Sequence, residues 1–189
     1  MTFGSFSGYS ATFPLLIREL YTTQFEGGPD PLKYAFLGPL VGSLIRVIMG
    51  IVSDYTGGAI LTTLAGLGMI TGIVFGIAGG YFNPTSLDQF PVFVGIMLWI
   101  FFWSGTGNAS TFRQYPIIFK HNPRMGAGVV GWTAAVAAYG PFIFSSLMGQ
   151  AFKAVGNPIP FFIEAAAYYF IATAINWWYY QRRGCERPS

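Results

Sequence analysis

The residue in this chain best placed to do chemistry is a single arginine in the middle of a long apolar run. Arg46 lies in YAFLGPLVGSLIRVIMGIVSDYTGG, residues 34–58, a stretch long enough to cross a bilayer. A guanidinium at bilayer depth costs roughly 2.5–3.5 kcal/mol even on the lenient insertion scale, so it is kept there for a ligand or a partner. Arg46 stands eight residues before Asp54, roughly 12 Å from the end of its helix and too deep to snorkel comfortably. Anion binding is one reading; a structural ion pair with a neighbouring helix is the other. Carboxylates for such a pair are few. Glu19 and Asp54 sit near helix ends, Glu26, Asp30 and Asp88 lie in connectors, and Glu164 falls in the first turn or two of the last span. The planar guanidinium fork suits a trigonal oxyanion, to which it donates two parallel hydrogen bonds.

A second dense stretch is GTGNASTFRQYPIIF, residues 105–119. Gly105 and Gly107 permit close backbone approach, while Asn108, Ser110 and Thr111 offer neutral polar groups at helical spacing. Those three could line a polar path or hydrogen-bond between helices. Arg113 is expected at the cytoplasmic end of its helix rather than beside a substrate. His121 stands alone in a loop with no second ligand at metal spacing. No Ser/His/Asp set, Cys/His cluster or phosphate-cradling loop is present, so we expect neither an enzyme nor a metal or cofactor.

The elements that must hold these residues are transmembrane helices. The chain has 189 residues, 53% hydrophobic, 19% aromatic and only 9% charged, whereas soluble domains carry about a quarter charged residues. Apolar runs broken by charge, proline and glycine give six spans, at about 1–22, 33–54, 58–82, 91–117, 126–150 and 159–181. Basic residues cluster in two places, Arg113, Lys120 and Arg124, then Arg182, Arg183 and Arg187. By the positive-inside rule both termini are expected in the cytoplasm, as for a multi-pass protein of the inner (cytoplasmic) membrane; the clustering argues topology, not nucleic-acid binding. Trp177, Trp178, Tyr179 and Tyr180 form an interfacial belt before Arg182.

With no basic n-region and no small-residue cleavage site, Met1 is not expected to open a secretory signal peptide. Residues 1–17 rise only about 25 Å against a hydrocarbon core of roughly 30 Å, so the reading expects a further turn of helix upstream. Glycines recur at four-residue spacing, at Gly4 and Gly8, Gly38 and Gly42, and Gly68, Gly72 and Gly76. Helices in lipid associate by close packing at such residues, so this pattern describes a polytopic bundle. In the fifth span Pro141 removes a backbone donor and predicts a kink, tolerated where the freed carbonyl meets protein or water. Cys185, the lone cysteine, has no partner for a disulfide.

Four segments carry a resemblance that covers nearly the whole chain: TFGSFSGYSATF at 2–13, the 34–58 run, GTGNASTFRQYPIIF at 105–119 and GWTAAVAAYGPF at 131–142. Together they resemble the carboxy-terminal half of nitrate/nitrite porters of the major facilitator superfamily. The resemblance implies an all-α transmembrane fold, a six-helix bundle that is one half of a twelve-helix transporter, with substrate held at mid-membrane between the halves. It implies that Arg46, by its place in GPxxGxxxR, is one of two arginines clamping nitrate or nitrite, and that Phe3 stacks on the planar anion. The other arginine, and a tyrosine one turn before Phe3, would belong to segments preceding Met1. The superfamily loop motif G-x-x-x-D-R-x-G is GIVSDYTGG here: Gly50, Asp54 and Gly57 are kept, and Tyr55 replaces the basic residue. The eleventh-helix signature is only partly kept, with Ala134, Ala137 and Pro141 in it.

The implied function is transport of nitrate or nitrite by alternating access, as antiport or proton symport, once joined to an amino-terminal six-helix half. The rival from another class is a non-transporting membrane assembly or interaction protein, or an inactive partial chain, with Arg46 in a structural ion pair.

Overall fold

A computed structural model describes residues 1–189, and it is helical throughout, with no strand. Eight helices form: α1 (Thr2–Ile17), α2 (Pro31–Tyr34), α3 (Leu37–Thr56), α4 (Gly58–Ala78), α5 (Phe90–Ile118), α6 (Pro123–Ala137), α7 (Gly140–Val155) and α8 (Ile159–Asn176). α1 and α8 each run on into a wider, π-type turn, Arg18–Thr22 and Trp177–Gln181. Five stretches are long and apolar enough to cross a membrane: Pro31–Thr56, Gly58–Ala78, Leu87–Ile118, Pro123–Val155 and Ile159–Gln181. α1 with its extension is the sixth long helix, more polar than the others because it carries Thr2, Ser5, Ser7, Ser10 and Thr12. The chain is a multi-pass, six-helix membrane bundle with the form of half a major facilitator fold.

Helix ends follow local chemistry. Asp30 caps α2 by accepting from the Leu32 N–H at 3.0 Å, and Asn122 caps α6 by accepting from the Met125 N–H at 3.2 Å. Gly57 turns the chain between α3 and α4 at φ +89°, a backbone state that glycine adopts without steric cost.

α1 occupies the centre and packs on α7, α5, α3 and α6; α5 lies along both α3 and α4, and α8 covers α4. Its buried residues, Thr2, Ser5, Gly8, Tyr9, Thr12, Phe13, Leu16 and Ile17, recur at three and four positions, as one face of a helix requires. The interior is aromatic: Phe82 stacks on Phe162 with centroids 3.8 Å apart, and the Tyr9 ring meets Phe144 edge to face at 4.9 Å. Small residues set the crossings. A methyl at Gly105 would strike the Gly42 carbonyl, one at Gly140 the Gly4 carbonyl, and one at Gly38 the Phe101 ring. At these points backbone lies on backbone or ring, as in close-packed membrane helices.

The fifth span is broken into two helices at Ala138 and Tyr139, just before Pro141. Pro141 has no N–H to give the carbonyl four residues back, that of Ala137. The Ser7 hydroxyl of α1 lies 3.5 Å from that oxygen, so protein, not lipid, meets the freed acceptor.

Candidate anion site

α3 carries Gly38, Gly42 and Arg46 at one-turn intervals. Gly38 and Gly42 are buried against Phe101, Phe6 and Gly105, which presses α3 onto α1 and α5. Arg46, one turn on, is exposed, and it makes neither an ion pair nor a hydrogen bond. It shares its helix with exposed Leu44, Val47, Ile48 and Ile51. Only 11% of the most apolar window of this span is buried, and 6% of that in α6–α7, against 50% and 56% for the spans of α4 and α5. Two spans of the bundle therefore present nearly bare flanks.

The register of α1 and α5 against α3 fixes what lies at the depth of Arg46. Phe6 meets Gly42, and α1 runs antiparallel to α3, so one turn back on α1 and one turn forward on α3 bring Phe3 and Arg46 to a similar level. α5 runs parallel to α3, with Phe101 opposite Gly38 and Gly105 opposite Gly42, so Asn108 follows at the same level. Phe3 is half-buried and meets Phe112 edge to face, centroids 5.8 Å apart. It also lines a cavity of about 190 Å³ with Thr2, Thr62, Thr111 and Phe112; Arg46 does not line it.

The polar residues of α5 divide. Ser110 sits 2.8 Å from the Thr62 hydroxyl and donates to the Gly107 carbonyl at 3.1 Å, while Thr111 accepts from Thr2 at 3.3 Å. Both are engaged between or along helices. Gly107 lets Thr2 and Ala65 approach the α5 backbone. Asn108 differs: it is 3% exposed, and its amide Nδ2 has no acceptor. Buried donors are nearly always partnered, so a bare one calls for a ligand or an ordered water.

At the other end of α3, Asp54 of the loop motif pairs with Arg113 of α5, each side chain 46% exposed. Arg113 is thereby tied to a carboxylate. Gly50 faces open space and Gly57 makes the turn already described.

Sequence reasoning passed over a buried amide hub. Gln114 donates to Thr62 at 2.6 Å, and Asn176 of α8 donates to the Ala59 carbonyl and the Thr63 hydroxyl, both at 2.9 Å. The tail closes on this hub: the Ala59 N–H donates to the Ser189 carbonyl at 3.1 Å, and the Ser189 hydroxyl donates to Gln114 at 3.2 Å. The signal was present, since Thr106, Ser110 and Gln114 repeat every fourth residue of α5.

Bundle, glycine crossings and membrane-length helices have the form of half a major facilitator fold. Along nearly all of its length the chain is similar to proteins described as nitrate/nitrite antiporters or transporters. A Thermus thermophilus protein described as "Probable nitrate/nitrite antiporter NarK2" is 57% identical over 188 residues, which is 100% of this chain and 41% of that protein. The "Nitrate/nitrite transporter NarU" of Escherichia coli (strain K12) is 28% identical over 205 aligned residues, covering 96% of this chain and 42% of that protein. The Salmonella typhimurium protein of the same description is likewise 28% identical. The chain thus spans about two-fifths of the length of these relatives. No protein-family model matches it.

Proposed function

We propose that this chain is the carboxy-terminal six-helix half of a nitrate/nitrite transporter, and that Arg46 binds the anion at mid-membrane. Arg46 carries this reading: it is exposed at bilayer depth and unpaired, a state a lipid-facing helix would not keep at roughly 2.5–3.5 kcal/mol. A second bundle covering α3 and α6–α7 would enclose it, and an anion between the two would neutralise it. Phe3, at a similar depth, supports a planar oxyanion, with one ring to cover its flat face beside the guanidinium fork, and the bare but buried amide of Asn108 lies at the same level of α5. Gly105 and Gly107 serve the path by holding α5 close, and Ser110 and Thr111 by fixing its register.

Transport then needs no bond making. The anion is bound and released while the two halves rock about it, so that each side of the membrane sees the site in turn. Both termini lie in the cytoplasm, and the bundle sits in the inner cell membrane. Within this chain Arg46 pairs with no carboxylate, the two ion pairs being Arg18–Glu19 and Asp54–Arg113, which favours the anion reading over a structural pair.

The test is uptake of nitrate and nitrite into proteoliposomes holding this chain alone, or the chain co-expressed with an amino-terminal half of a related porter. Uptake in the co-expressed sample that Arg46→Ala abolishes is expected. Correct insertion without uptake in either sample would instead leave a non-transporting membrane protein.

A further inference from the structure

A second cavity, of about 470 Å³, lies between α1, α6, α7 and α8. Its walls are largely apolar, with Phe144, Leu147, Phe161 and Ala165 along its length. Glu164 stands on its rim. This carboxylate is five residues into α8, about 7.5 Å below the α7–α8 connector and so at the depth of lipid headgroups. It is exposed and makes neither an ion pair nor a hydrogen bond; Lys153, in the last turn of α7, does not reach it. In the same cavity the Tyr169 hydroxyl is already engaged, donating to Ser5 at 2.8 Å and lying 3.1 Å from that of Tyr9.

The cavity therefore offers one open negative group at the membrane surface and hydrocarbon contacts below it. An amphiphile with a cationic head matches that order. A primary ammonium has three N–H donors for a carboxylate, whereas a quaternary one has none.

We propose that this cavity is a lipid site, holding an acyl chain of an aminophospholipid whose ammonium is bound by Glu164. The site does not depend on the anion at Arg46, so each can fail alone.

Native mass spectrometry of the delipidated chain, offered equal amounts of ethanolamine, choline and glycerol phospholipids with matched acyl chains, reads it directly. Ethanolamine adducts are expected to exceed choline adducts about five-fold, the scale of one partly exposed ion pair. Glu164→Gln removes that preference while leaving acyl binding, and Ala165→Trp, which fills the cavity, lowers all three adducts. Equal adducts of the three lipids on the wild type would overturn the proposal. So would an ethanolamine preference that survives Glu164→Gln. Should that variant not fold, the ethanolamine-to-choline ratio on the wild type decides alone.

Discussion

Arg46 and Arg113 carry the same charge and meet opposite circumstances. Arg113 is neutralised by Asp54 at a helix end where both are half in solvent, so Asp54→Asn should lower the melting temperature of the purified chain by little, the pair being worth about 0–1 kcal/mol. Arg46 has no such partner, and its substitution should act on transport instead. In the reconstituted two-half porter, Arg46→Lys keeps the charge but loses the bidentate fork, and uptake at low nitrite should fall by about ten-fold or more. Asn108→Ala should weaken nitrite uptake without changing the melting temperature much, because its amide nitrogen bonds nothing in the unliganded bundle; a large loss of stability would assign it to packing. The arginine was legible in the sequence because a charge inside an apolar run stands out. The Asp54–Arg113 pair was not, since it depends on the relative register of α3 and α5, which no local pattern encodes.

At the scale of elements, glycine decides which helices touch. Gly42 and Gly105 meet backbone to backbone, and Gly105→Leu must force α3 and α5 apart. Overpacking of this kind costs typically 1–3 kcal/mol, to be read as a clear drop in melting temperature in detergent, whereas the same change at Gly95, which faces open space, should be near neutral. The four-residue glycine spacing made close packing readable beforehand, yet the partners of each glycine came only with the fold. The same holds for the fifth span. Pro141 announced an interruption, but that Ser7 would stand opposite the freed Ala137 carbonyl required α1 to be placed against α6 and α7.

For the whole molecule, six helices and their membrane character were readable from composition and run lengths, because the bilayer fixes both. Their arrangement was not, since lipid and protein are equally apolar and leave no amphipathic stripe to show which side faces inward. α3 and α6–α7 are the least covered spans, and the second half should close over them. A cysteine at Leu44 or Ile48 should crosslink to a co-expressed amino-terminal bundle but not to α4 or α8 of its own chain; no crosslink to that bundle would place the flank against lipid.

The break in the fifth span also has a mechanical meaning. It coincides with the point where Gly140 rests on the Gly4 backbone, so α7 is held at its base while α6 has only Gly126 buried, and a pivot of α6 at the break would leave that contact in place. A swing of about 10° carries the far end of an arm about 22 Å long through about 4 Å. A swing of that size would need no change inside either helix.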